Sequence, residues 1–197
     1  MEQKTFKFDE GSRIFFTSDT HYGHENIIHF CKRPFASVKE MDAYLIDRWN
    51  NVVGPNDYIF HLGDFCFKGS QYWDNILNQL NGHKFLIIGN HDEKNLRDGA
   101  MYKFDWVGFQ AIVLIGSQKI YLNHHPFLCY GGTYHDNPTW QLFGHVHSGP
   151  GANGKDINRM QYLFPTQYDV GVDNNNFTPV SFEQIKTIID FQINGKE

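Results

Sequence analysis

Short apolar runs recur along the first half of the chain, and each stops abruptly at a polar block. Arg13-Ile14-Phe15-Phe16-Thr17 ends in Ser18-Asp19. Tyr58-Ile59-Phe60-His61-Leu62 ends in Gly63-Asp64, and Phe85-Leu86-Ile87-Ile88 ends in Gly89-Asn90-His91-Asp92. Runs of this length bounded by turn residues predict buried strands. Between them the apolar spacing becomes helical. A short helix is expected from Glu25 to Cys31. A longer one runs from Val38 to Val53, N-capped by Ser37, with Met41, Tyr44, Leu45, Arg48 and Trp49 at helical spacing and Gly54-Pro55 as its stop. A third covers Tyr72 to Leu80, closed by Asn81-Gly82. The order β-α-β-α-β implies a parallel sheet with right-handed crossovers.

The pattern then changes. Gln110–Ile115 and Lys119–Asn123, around Gly116-Ser117, predict a β-hairpin. Trp140–Phe143 and Tyr168–Val172 predict further short strands. Ser181-Phe182-Glu183-Gln184 reads as a capping box opening a helix to about Phe191. The Gly- and Asn-rich stretch from Ser148 to Asn158, and Asn174-Asn175-Asn176, read as exposed loops. With no repeat, low-complexity tract or linker, a single domain over residues 1–197 is expected.

Composition narrows the chemistry. The chain is 41% hydrophobic and 20% charged, as ordinary globular proteins are. Its net charge of −5, without a dense Lys/Arg cluster, argues against extended nucleic acid as a partner. A small phosphorylated substrate is compatible with that balance if bound cations supply the positive charge. Cys31, Cys66 and Cys129 are odd in number and form no CxxC pair, which points to a reducing compartment rather than a disulfide framework. Met1–Glu10 lacks the apolar core of a signal peptide, and no run approaches the roughly 20 apolar residues that span a bilayer. A soluble, cytoplasmic protein without a membrane partner is expected.

The polar blocks carry the candidate function. With His124-His125-Pro126 and Gly144-His145-Val146-His147, they supply carboxylate, imidazole and amide groups from five places in the chain. In open α/β sheets, ligands gather beyond the carboxyl ends of strands, where the first three blocks sit. Asp19 and His21, and again His145 and His147, stand at i, i+2, so both members of each pair can face one side of an extended turn. Asp64 has two oxygens and can bridge two cations; Asn90 offers a neutral oxygen; either His124 or His125 could ligate. Two cations roughly 3.5–4 Å apart suit an in-line displacement at phosphorus. His91, next to Asn90, could supply a proton to the leaving oxygen.

The ordered set Asp-x-His, Gly-Asp, Gly-Asn-His-Asp, His-x-Pro and Gly-His-x-His resembles the calcineurin-like metallophosphoesterase superfamily from Arg13 to Asp173. The opening Ser18-Asp19-Thr20-His21-Tyr22-Gly23-His24, followed by Asn26-Ile27-Ile28, is similar to a small bacterial and phage subgroup of it. The resemblance implies an α/β fold, a four-layer α/β/β/α sandwich with two packed mixed sheets. It implies one divalent metal held by Asp19, His21, Asp64 and His147, and a second held by Asp64, Asn90, His124 and His145. His91 would be general acid or phosphate contact, and a water shared by the two ions the nucleophile. Mn²⁺ is the favoured ion, with Fe, Zn or Ni also suited to mixed nitrogen and oxygen ligands.

Around this centre, His24, Arg33, Lys68 and Tyr130 are candidate substrate contacts, Gly131-Gly132 a candidate lid hinge, and His135 part of a loop that could overhang the site. His61, inside an apolar run, reads as a satisfied core histidine. A small phosphodiester or nucleotide is the expected substrate. Two competing functions are a Mn²⁺-dependent nuclease and a non-catalytic metal-binding module of the same fold.

Overall fold

The computed structural model describes residues 4–97, 103–133 and 137–195. Within them two five-stranded mixed sheets are formed. One has the order β10 (Val180–Ser181), β2 (Ile14–Thr17), β3 (Tyr58–His61), β4 (His83–Ile87) and β5 (Trp106–Gly108). Its strands β2 to β5 are parallel, with β10 antiparallel at the edge. The other has the order β1 (Lys4–Phe8), β6 (Gln110–Ile115), β7 (Gln118–Asn123), β8 (Trp140–Phe143) and β9 (Gln167–Asp169).

The parallel arrangement of β2, β3 and β4 follows from the helices between them. Alternate residues of a strand face opposite sides. Phe15, Ile59 and Leu86 therefore pack under α1 (Glu25–Phe30), α2 (Val38–Val52) and α3 (Ser70–Leu77), against Met41, Leu45, Trp49 and Trp73. Ile14, Phe16, Phe60, Phe85 and Ile87 face Val113, Ile120, Leu122 and Leu142 of the second sheet. Strands covered on both faces read as continuous apolar runs, which is why these were legible. The hairpin strands β6 and β7 instead alternate buried with half-buried residues.

Local chemistry sets the helix starts. The Ser37 hydroxyl accepts the Glu40 N–H at the head of α2. Ser181 and Gln184 form the reciprocal capping box of α5 (Phe182–Asn194). This last helix lies against β10, β2 and β9, so it closes the edge where the two sheets come together.

Among the described residues, β1, β5, β10, α4 (Glu93–Arg97) and the 3₁₀ helix Ile157–Tyr162 went unread. β1 mixes lysine with phenylalanine over five residues; it pairs in parallel with β6, and Phe6 and Phe8 pack on Phe60, Phe85 and Tyr58 of the other sheet. β5, β10 and α4 are too short to carry a period. The stretch from Ser148 to Asn158 is not simply an exposed loop: Ser148 is buried, and a 3₁₀ helix begins at Ile157. Strand β9 stops at Asp169 rather than Val172, because the Asp169 carboxylate turns back to accept the Gly171 N–H. No helix among the described residues is long and apolar enough to cross a membrane.

Candidate metal centre

The polar blocks meet because hydrogen bonding continues past the strand ends. Asp19 N–H donates to the Gly63 carbonyl at 2.9 Å, His21 N–H to the Asp64 carbonyl at 3.0 Å, and Tyr22 N–H to the Phe65 carbonyl at 2.9 Å. The loops after β2 and β3 thus run side by side. A bridge between Ser18 and Gly171, with Val172 N–H donating to the Ser18 carbonyl at 3.0 Å, ties the end of β9 to the end of β2. The site lies at this seam between the sheets.

Backbone conformation aims the side chains. Asp19 (φ 56°), His21 (52°), Asp64 (56°), His145 (70°) and His147 (47°) all adopt the left-handed conformation, without being glycine. Each costs of order 1 kcal/mol and persists only where the surroundings impose it, a pattern typical of functional sites. The neighbouring glycines leave the room required. A Cβ on Gly89 would collide with the Asp64 backbone and carboxylate, and one on Gly144 with Ser18 and Asp19.

Seven side chains converge: Asp19, His21, Asp64, Asn90, His124, His145 and His147. Asp64 Oδ2 stands 3.6 Å from His21 Nε2 and 3.6 Å from His124 Nε2, between the two halves of the cluster. On one side, His147 Nε2 is 3.9 Å from Asp19 Oδ1. On the other, Asn90 Oδ1 is 3.1 Å from His124 Nε2 and 3.0 Å from His145 Nδ1. The groups Asp19–His21–His147 and Asp19–Asp64–His124 each present donor atoms within 4.8 Å of one another.

The imidazoles are oriented from behind. His124 Nδ1–H donates to the Leu62 carbonyl at 2.7 Å, and His147 Nδ1–H to Asp173 at 2.8 Å. Their Nε2 atoms are thereby turned inward, as they are in metal-ligating histidines. Asp19 Oδ1 and His21 Nε2 are fully buried and have no hydrogen-bond partner. Buried polar atoms are ordinarily paired, so these two orphans fit cation donors. Burial lowers the basicity of His21 and His124, and brings His145 down to about 4. Burial raises the Asp19 carboxyl to about 6 against the pull of His147.

His91 is exposed at the rim, its ring 5.6 Å from that of His21, and its backbone N–H donates to Asp64 Oδ1 at 2.9 Å. His24 is there too, Nδ1 to Nδ1 with His21 at 3.3 Å. His125 is exposed, its ring 4.3 Å from His145. His61 is a satisfied core histidine: Gly63 N–H donates to its Nδ1, and its Nε2 meets the Thr20 hydroxyl at 2.9 Å.

Two sequence-predicted contacts are corrected. Arg33 does not offer its charge to a substrate. Its guanidinium is buried, forks onto Asp173 at 2.8 and 2.9 Å, and donates to the Asp19 and Thr20 carbonyls at 2.7 and 3.0 Å. Tyr130 is also absent from the site. Its hydroxyl pairs with Thr166 and its ring packs among Tyr121, Phe127 and Phe164, near the start of β9, whereas the site adjoins that strand's far end. Lys68 is exposed, with its stem laid over Gly23. Gly131 and Gly132 lie in a turn whose continuation, with His135, falls outside the described residues.

Sequence reasoning missed the groups that support the cluster. Asp92 accepts N–H bonds from Asp64, Phe65 and Gly89 at 2.8, 2.9 and 2.8 Å, pinning two blocks together. Burial, reinforced by the neighbouring Asp64, pushes its carboxyl up to about 8. Asp173 works against its own burial, and Arg33 holds it down at about 2. Asp169 accepts the Ser148 N–H and hydroxyl, fixing the chain just after His147. Asp156, from the unread 3₁₀ region, reaches His145 Nε2 at 3.6 Å. Only Asp92 left a signal, as the last letter of Gly-Asn-His-Asp.

Residues 12–158 match the sequence model of the calcineurin-like phosphoesterases. An uncharacterized protein of Methanocaldococcus jannaschii (MJ1445) is 30% identical over 182 residues, covering 90% of this chain and 92% of its own. The gene 66 protein of Mycobacterium phage L5 is 28% identical over 176 residues, covering 76% of this chain and 84% of its own. Among solved structures, the Aquifex aeolicus protein of unknown function AQ665 superposes with a TM-score of 0.66 at 25% identity, covering 90% of this chain and all of that one.

Proposed function

This chain belongs to the calcineurin-like phosphoesterase family and is a phosphoester hydrolase, and from that premise we propose that it hydrolyses a small phosphodiester or nucleotide using two divalent metal ions. Asp19, His21, Asp64 and His147 would hold one ion; Asp64, Asn90, His124 and His145 the other. The observation that carries this reading is the position of Asp64 Oδ2, 3.6 Å from an imidazole nitrogen on each side. When bound, such ions supply positive charge to phosphate oxygens and bring the pKa of water towards neutrality.

The chain's own groups do the rest. Asp173 and the Leu62 carbonyl hold the His147 and His124 tautomers, so neither ring has to reorient. His91, free at the rim beside His21, delivers a proton to the departing oxygen. A net charge of −5 supports a compact substrate over a long polyanion. The mixed nitrogen and oxygen donors suit Mn²⁺, Fe, Zn or Ni, and Mn²⁺ is the ion for a first assay.

The test measures bound metal and turnover together. Purified protein saturated with Mn²⁺ is assayed on chromogenic phosphate mono- and diesters and on single-stranded DNA. Two ions per chain with diester turnover is expected. Metal-loaded protein that cleaves DNA but no small ester would make it a nuclease; loaded protein that turns over nothing would make it a binding module.

A further inference from the structure

The rim holds an aromatic wall to which the chemistry above gives no task. Phe67 lies three residues beyond Asp64, yet 46% of it is exposed. Its ring stacks face to face on His24, with centroids 3.9 Å apart and planes within 7°. The His91 ring lies 5.4 Å away on the site side. Phe30, 62% exposed, sets its ring edge against His24 at 6.4 Å. A lone exposed aromatic needs no explanation, but contiguous ones bordering a polar cleft do.

The wall is rigidly referenced to the reacting centre. Phe67 N–H donates to the Tyr22 carbonyl at 2.9 Å, and His24 N–H to the His21 carbonyl at 3.0 Å. His91 N–H is bonded to Asp64. The backbone that carries the rings is thus tied to the backbone of the candidate ligands, and His24 and His91 bring the rings next to His21, at 5.3 and 5.6 Å between centroids. An aliphatic wall would serve equally well to exclude water; flat rings in register add a surface for a flat ligand.

Resting on the phosphoesterase reading, we propose that Phe67, backed by His24, is a stacking subsite for a planar group attached to the substrate's phosphate, and that the substrate class is nucleotide-like. An adenine or other base laid on Phe67 would have its phosphate directed to the His21 and Asp64 side of the cleft. Base–aromatic stacking tolerates any base, so this subsite selects planarity and not sequence.

The probes are adenosine 5′-monophosphate and ribose 5-phosphate, which share a phosphorylated sugar and differ by the base. Their inhibition constants are measured against a chromogenic ester with the Mn²⁺-loaded protein. The base should tighten binding by about 5- to 100-fold. Phe67→Leu, which keeps apolar bulk but removes the π face, should abolish most of that ratio, and Phe67→Trp should restore it. Equal constants for the two probes in the unaltered protein, or a ratio unchanged in Phe67→Leu with metal content intact, would overturn the subsite. Either result leaves the phosphoesterase reading standing, because turnover and bound metal report on that separately.

Discussion

At Gly89 the room for a single hydrogen decides whether the site can form. The Asp64 backbone nitrogen and carboxylate occupy the place a Cβ would take. Gly89→Ala must displace backbone, not a pliable side-chain tip, and overpacking of this kind costs about 1–3 kcal/mol. Urea denaturation should show a loss in that range, with lower metal content than the unaltered protein; unchanged stability and metal content would refute the close approach. If two ions bind as proposed, Asp64→Asn should weaken both, since its Oδ2 faces both halves of the cluster; two tightly held ions in that variant would undo the bridge. His91→Ala should retain its metals and lose rate by roughly 10²-fold. Full activity would remove His91 from the proton-donor role. The residue types at these positions were readable as a motif. Their left-handed conformations were not, because propensity gives Asp and His no strong claim on positive φ.

Between elements, the decisive connection runs from the α1–α2 loop to the end of β9. Arg33 grips the Asp19 and Thr20 carbonyls with part of its fork and Asp173 with the rest, and Asp173 orients His147. Lysine is a point charge and cannot reproduce a fork. Arg33→Lys should therefore cost about 10- to 100-fold in metal affinity, as lost outer-shell partners do, while circular dichroism remains native. Metal affinity equal to the unaltered chain would show that the fork is dispensable. Arg33 attracted a substrate role in the sequence because a charged residue in a loop is normally solvated. Only its burial, on contacts 13, 14 and 140 residues away, reveals otherwise.

Across the whole molecule, the seam between the sheets buries several ionisable groups, among them Asp19, Asp64, Asp92 and His124. Burial opposes protonation of His147, but its bond to Asp173 wins and holds it up at about 11. Asp92 is raised to about 8, chiefly by burial. The sign follows directly. Unfolded, these groups release their protons near their ordinary values of 6.5 and 3.8. His21, His124 and His145 shift the opposite way but are mostly neutral in the unfolded chain above about pH 7.5. Between about pH 7.5 and 9, His147 and Asp92 bind more protons in the folded chain, so stability falls as pH rises. Each group contributes at most about 1.4 kcal/mol per pH unit. Denaturation of EDTA-treated protein at pH 7.5 and 9 should show this fall, and saturating Mn²⁺ should raise the melting temperature at both. A rise in metal-free stability over that interval would contradict the buried arrangement.

Sequence by itself determined the elements whose apolar pattern stands out locally, namely β2, β3, β4, β8, the β6–β7 hairpin, α1, α2, α3 and α5, and the donor residues that end the strands. Hydrophobic periodicity is a local property, and so is the residue type of a ligand. Tertiary structure alone decided that β1 pairs beside β6, that Asp92, Asp156, Asp169 and Asp173 stand behind the candidate ligands, and that Arg33 is a buried clamp and Tyr130 remote. Those outcomes depend on contacts between segments far apart in the chain, and burial and orientation exist only once the two sheets have closed on each other.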